Sequence, residues 1–231
     1  MKKTRSVTLL LSGVIFLAFT ACNSGGQKTN ADSAMSEIAG EMAGLKTMMI
    51  EYKTTVNAEG MKSSSVMTQW IDNTNDRHAV YTQGTTEVMG MKTEEKSAMI
   101  SRDGWSYMIN LTDQTGFKSK DTESDEDPTD KILPEDNVTF RQMIEKEGGK
   151  ILGNENFLGK DCIVVEITEN EEGRSLPTKM WYYKGIPLKM ANSFYTMEAT
   201  KFEENITIPD SRFEIPAGIK ITEMPEMPEI Q

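Results

Sequence analysis

From residue 48 to 56 the chain puts Met48, Ile50, Tyr52, Thr54 and Val56 on one parity and Met49, Glu51, Lys53 and Thr55 on the other. Alternation with period two fits a strand that buries one face, whereas a helix would scatter those side chains around its surface. The pattern recurs. Asn57, Ala58, Glu59 and Gly60 form a turn, and residues 63–71 run back carrying Val66, Met67, Trp70 and Ile71. After the turn DNTNDR, short strands are expected at 78–82 and 86–91, then at 96–102 and 105–111 around Asp103-Gly104, a pair that favours a tight hairpin. Further strands are expected at 161–168, 178–183, 188–191 and 194–203, with ENEEGR as a turn among them. Consecutive antiparallel strands joined by short turns make a meander.

Two short helices are expected beside the strands. Asp32 or Ser33 caps a segment whose Met35, Ile38, Ala39 and Met42 fall on one helical face, ending near Gly44. Asp136 or Asn137 caps another, with Phe140, Met143 and Ile144 on one face and Gly148-Gly149 after it. Each narrow apolar stripe needs an apolar surface to lie against, and one face of the sheet supplies it. The fold class is therefore mainly β with two short helices, an α+β arrangement.

The first 21 residues have a different purpose. Lys2, Lys3 and Arg5 precede a 13-residue apolar run, 7–19, which ends in the small residues Thr20-Ala21. That is the layout of an export signal, and the run is shorter than the roughly 20 residues a membrane-spanning helix needs. Phe19-Thr20-Ala21-Cys22 resembles a bacterial lipobox, with Phe where Leu is commoner. The resemblance implies lipid attachment at Cys22 and cleavage before it, so residues 1–21 are read as a lipoprotein signal peptide. Two or three acyl chains hold stably, since each buried methylene contributes about 0.8 kcal/mol. Residues 22–33, rich in Gly, Ser and Asn, read as a flexible tether. Asn23, in place of Asp, implies the outer membrane under the common sorting rule, and the lack of an acid-rich tract after Cys22 favours the periplasmic face. Asp32-Ser33-Ala34 also resembles a short O-glycosylation motif, beside the reading of Ser33 as a helix cap.

Without its first 21 residues the chain carries 22 basic and 36 acidic side chains, a net charge of −14. Such a body is repelled by phosphate backbones, which disfavours a nucleic-acid partner. The run at 121–130, DTESDEDPTD, clusters carboxylates but lacks the Gly and the twelfth-position Glu of a calcium loop, so 121–135 reads as a solvated acidic loop and no metal site is assigned. His78 is the sole histidine and has no nucleophile motif around it; it is read as a surface residue. No phosphate-cradling loop or His/Cys cluster occurs, so neither an enzyme activity nor a cofactor nor catalytic residues are expected. Cys162, opposite in parity to Ile163, Val165 and Ile167, reads as a buried, inert thiol. The end, 223–231, with its Met-Pro-Glu repeat, reads as an extended tail because Pro lacks a ladder donor.

Four stretches carry a family resemblance: Gly159-Lys160-Asp161-Cys162, Met180-Trp181-Tyr182, Gly185-Ile186-Pro187-Leu188 and the ending Phe213-Glu214-Ile215-Pro216-Ala217-Gly218. They resemble the second half of LolA/LolB-like lipoprotein-sorting domains, and more nearly a related bacterial lipoprotein family of unknown function. The resemblance implies an antiparallel half-barrel over 34–222, wrapped around a helical lid with an apolar hollow between. In the sorting proteins that hollow carries acyl chains. Sixteen methionines remain after residue 21, and unbranched Met suits a surface that repacks around apolar ligands. The candidate lining is Met48, Ile50, Tyr52, Val66, Trp70, Met89, Met99, Phe140, Met143 and Ile144. Two functions follow. One is an outer-membrane-anchored lipoprotein that binds a lipid or acyl chain without covalent chemistry. The other is an accessory envelope lipoprotein with a filled core, working through protein contacts, with an exposed patch around Trp181, Tyr182 and Tyr183.

Overall fold

The computed structural model describes residues 44–58, 60–120, 144, 148–171 and 174–223. The signal, the tether, the first expected helix up to residue 43, the acidic loop and the tail from 224 lie outside the described residues, as do Phe140 and Met143 of the second expected helix.

Twelve strands form one open sheet. They are β1 (Thr47–Ala58), β2 (Met61–Asp72), β3 (Arg77–Val88), β4 (Met91–Arg102), β5 (Trp105–Asn110), β6 (Thr115–Lys120), β7 (Lys150–Phe157), β8 (Lys160–Glu171), β9 (Arg174–Tyr183), β10 (Ile186–Ala191), β11 (Tyr195–Glu204) and β12 (Lys220–Glu223). Their order across the sheet is β12-β6-β5-β4-β3-β2-β1-β11-β10-β9-β8-β7. Two meanders, β1 to β6 and β7 to β11, are therefore zipped together along the antiparallel β1–β11 seam. Among the described residues, helical geometry is confined to a 3-10 turn at Asp210–Arg212 and to Ile144.

The expected strands are present, with corrections. The pieces expected at 78–82 and 86–91 are one twelve-residue strand up to Val88, and β4 begins at Met91. Gly84 does not break β3: it faces Ser65, whose Cβ would sit 2.8 Å from any Cβ added there, so this glycine is a close-approach position inside a continuous ladder. Strands β6, β7 and β12 are additional. β12 pairs parallel to β6, which requires a long crossover, and residues 205–219 supply it by passing over the sheet.

Register assigns the faces of the β1–β6 meander, because directly opposed residues point the same way. The front face carries Met48, Ile50 and Tyr52 of β1, then Ile71, Gln69 and Met67 of β2. The back face carries Trp70, Ala79, Ile100 and Tyr107 in one cross-strand row and Thr68, Tyr81, Ala98 and Ile109 in the next. The 205–219 crossover covers this back face. Phe213 is fully buried there with Ile208 against Ala79, Ala98, Ile100 and Ile109. Arg77 lies 4.4 Å from the Phe213 ring centre and pairs with Asp72 (2.7 Å) and Asp210 (2.8 Å), and Arg212 stacks on Trp70. The ending that carries the family resemblance thus straps one face of the sheet.

A second core gathers Met48, Ile50 and Tyr52 with Cys162, Ile186, Leu188 and Ala199, all buried. A third lies on the other face of β8, where Ile144 packs on Val165 beside Ile163 and Ile167.

Candidate hydrophobic-ligand site

On the front face one cross-strand row is apolar from β3 to β6. Val80 opposes Met99, Met99 opposes Met108, and Met108 opposes Phe117. Val80 is buried, Met99 half-buried, and Met108 and Phe117 are 45% and 50% exposed. The flanking rows are polar: His78, Ser101, Ser106 and Ser119 on one side, and Thr82, Ser97, Asn110 and Thr115 on the other. With strands about 4.8 Å apart, four strands make a furrow roughly 14 Å long and one side chain wide. Apolar walls bounded by hydroxyls and an amide suit a single extended hydrocarbon chain lying across the strands.

The expected lining residues are only partly brought together. Met48, Ile50 and Tyr52 share the front face but are packed into the core, where the Tyr52 hydroxyl donates to the Pro187 carbonyl at 3.0 Å. Burial pushes the Tyr52 phenol well above its ordinary range, and the nearby Tyr195 adds to the shift. Met99 lies in the furrow. Val66 and Trp70 fall on the back face; Val66 is exposed, while Trp70 packs edge-to-face on Tyr81 at 5.5 Å. Met89 sits at the tip of the β3–β4 hairpin, and Ile144 is buried on β8. Phe117 escaped the sequence reading because TGFKSK contains one large apolar residue and offers no alternation to count. The better signal was the turn Thr112-Asp113-Gln114, where the Asn110 side chain accepts from the Thr112 and Asp113 amides and sends the chain back as β6.

His78 is not a surface residue. Its Nε2 is buried without a hydrogen-bond partner among the described residues, and burial pushes the imidazole down to about 4, so it is neutral beside the furrow at neutral pH. Glu204 receives Lys160 at 2.7 Å and Lys184 at 3.0 Å; burial raises its pKa, but these two partners outweigh that and hold it below its usual value. Cys162 is buried and its thiol is pushed up by desolvation. Trp181, Tyr182 and Tyr183 do not form an exposed patch: all three are half-buried, and burial lifts the Tyr182 phenol to about 12. A groove of about 550 Å³ lies elsewhere, mostly on the back face beyond the strap. Ser64, Thr68, Gln83, Thr85 and Lys96 line it together with Val66, Tyr81 and Leu111, so its lining is mixed.

No family's sequence pattern matches this chain, and no curated protein matches it in sequence. Solved structures do superpose on it. An uncharacterized conserved protein from Thermus thermophilus aligns at TM-score 0.48 and 8% identity, covering 83% of this chain and 100% of that one. The lipoprotein LppX of Mycobacterium tuberculosis aligns at 0.38 and 10%, covering 78% and 98%. A domain assigned to outer-membrane lipoprotein sorting in Vibrio parahaemolyticus aligns at 0.30 and 13%, covering 80% and 97%. The chain's own fold is an open sheet of two zipped antiparallel meanders, with β12 added in parallel at one edge.

Proposed function

We propose that this chain is an outer-membrane lipoprotein, anchored through acylated Cys22, that holds a hydrophobic ligand non-covalently on the front face of its sheet. The ligand class is a lipid acyl chain. The observation that supports this is the furrow of Val80, Met99, Met108 and Phe117, in which two large apolar side chains stay half exposed between polar rows. A soluble domain gains nothing by leaving such a strip wet, whereas a ligand that covers it gains about 25 cal/mol for each Å² it removes from water. Methionine lets the strip adapt to chains of different length and saturation. The reading involves no covalent step, no metal and no cofactor, and it places the body on the periplasmic side.

The accessory-lipoprotein reading draws on a different observation. The core around Met48, Ile50 and Tyr52 is filled by the protein's own side chains. Native mass spectrometry of the full-length protein, extracted in mild detergent, separates the two. A ligand-holding protein carries adducts of lipid mass that disappear on delipidation. Identical masses before and after delipidation would leave the accessory role standing.

A further inference from the structure

The β1–β2 and β3–β4 hairpins extend beyond the buried clusters of the described residues. Above the last core rows, the front face of β2, β3 and β4 offers Ser65, Gly84 and Glu95, then Ser63, Thr86 and Thr93. The back face offers Ser64, Thr85 and Glu94, then Lys62, Glu87 and Lys92. On β2, β3 and β4 both faces are polar there, and in these rows β1 adds one apolar side chain, half-buried Val56 opposite Ser63. Yet the ends are apolar. Met61 opposes Val88, Val88 opposes Met91, and Met89 occupies the turn between. Met89 is 87% exposed and Met91 71%. The β10–β11 turn brings exposed Phe194 to the same end, where its carbonyl accepts from the Asn57 amide at 2.7 Å.

Met89 also holds a backbone geometry that is unusual for an apolar residue. Its φ is +51° and that of Gly90 is +82°, a tight turn in which Asn or Asp is the favoured first residue. The hairpin at Asp103-Gly104 follows that preference. Met in the left-handed region is unfavourable, and strain kept at an exposed position points to use. Leu158, at the opposite end of the sheet, is the other apolar residue in such a turn, and it is 44% exposed.

We infer that this hairpin end, formed by Met61, Val88, Met89, Met91 and Phe194, is a lipid-contact rim that dips into the surface of the bilayer to which the chain is tethered. This rests on the anchor part of the proposed function. The geometry permits it: the rim lies at the far end of β1 from Thr47, about 40 Å away, while residues 23–46 reach roughly 60 Å even with the expected helix formed. Charge permits it too. Lys62 and Lys92 sit one row behind the tip against Glu87, and Lys92 pairs with Glu94 at 3.6 Å. The rim is thus balanced in a body of net charge −14, and its lysines can reach headgroups while the methionines enter the acyl boundary. Unbranched side chains on a Gly turn need no shaped pocket, which suits a fluid partner. Tethering raises the local lipid concentration, so shallow insertion of a few side chains is enough.

The test uses the full chain with a thiol-reactive, polarity-sensitive dye at Met89→Cys, and at Asn75→Cys on the opposite end as control. Both forms carry Cys22→Ser and an amino-terminal hexahistidine that holds them on phosphatidylethanolamine–phosphatidylglycerol vesicles containing a nickel-chelating lipid. The outcome is then independent of whether Cys22 is acylated, which flotation of the natural chain decides separately. The dye at 89 should shift to the blue and be quenched by lipids with a nitroxide near the glycerol, while the dye at 75 reports water. Changing Met61 and Met91 to Ser in the Met89→Cys form should weaken that contact on the order of tenfold per side chain. Equal exposure at 89 and 75 overturns the inference. So does a dye at 89 shielded only by a second copy, seen as cross-linking without lipid quenching.

Discussion

The hydroxyl of Tyr52 donates to the carbonyl oxygen of Pro187 at 3.0 Å, and the two residues are 135 positions apart. Tyr52 lies at the irregular step of the β1–β11 seam, where register shifts between Glu51 and Tyr52. The bond therefore crosses from the first meander to the second where the ladder between them is least regular. Both groups are buried, so removing the donor leaves an acceptor without water. Tyr52→Phe should lower the unfolding free energy by about 1–2 kcal/mol with an unchanged denaturant slope. Urea unfolding followed by tryptophan fluorescence measures it, and an unaltered midpoint would mean the Pro187 carbonyl finds another partner.

His78 predicts a pH dependence. Its folded pKa, about 4, lies below the unfolded value near 6.5, because burial disfavours the charged ring. The unfolded chain therefore binds the proton first as pH falls. The contribution is fully present above about 6.5 and is lost progressively as pH drops toward 4. Asp72 and Glu204 act in the same direction but lower, since their partners hold both carboxyls below their ordinary values despite burial. His78→Phe should flatten the melting temperature between about pH 6.5 and 4 and leave the steeper fall below that range. If the two proteins lose stability in parallel across the range, His78 is hydrated in solution.

These residues also show where the sequence was readable. The β1–β2 alternation, the Asp103-Gly104 hairpin and the burial of Cys162 follow from local periodicity and turn chemistry, and each is found in the structure. His78 was not readable. Its burial comes from the placement of whole strands, which neighbours such as Asp76 and Arg77 cannot report. The strap was half readable: Phe213-Glu214-Ile215-Pro216 stood out as part of a resemblance, but its course over Ala79 and Ala98 follows from β12 joining β6 in parallel, a long-range pairing with no local signature. The furrow was less readable still, because its members come one from each of four strands and only register aligns them.

Phe213 is the plug of the strap. It is wholly buried under Arg77, and its carbonyl accepts from Arg102 at 3.2 Å. Phe213→Ala should cost about 3–5 kcal/mol, the range for emptying an aromatic site. Amide exchange should become faster in β12 and β6 before β1 and β2 are affected, because β12 pairs with β6 alone. Uniform acceleration over all strands would show instead that the strap and sheet open as one unit.

Glu204 joins Lys160 and Lys184 at the other end, with the Tyr183 hydroxyl at 3.4 Å and the Phe202 ring beside it. Glu204→Gln keeps the shape but leaves two ammonium groups facing each other without a counter-charge. The groups are partly exposed, so solvent moderates the loss, and about 1–2 kcal/mol is expected. Adding salt should recover part of it in the variant and change little in the natural protein; equal salt responses would show that the three charges act separately.

Met108 and Phe117 separate binding from folding. Each is about half exposed and neither belongs to a buried core cluster, so Met108→Ser with Phe117→Ser should alter stability by no more than about 0.5 kcal/mol per site. Met48→Ser, on the same sheet face but inside the core, should cost several times more, because it buries a hydroxyl and leaves a void. If the furrow holds an acyl chain, the first pair of changes removes the co-purifying lipid while the melting curve stays in place. The Met48 change moves the melting curve and affects lipid only through unfolding. Full lipid retention in the well-folded Met108→Ser, Phe117→Ser protein would place the ligand away from the furrow, since the two substitutions remove its exposed apolar half without touching what holds the sheet together.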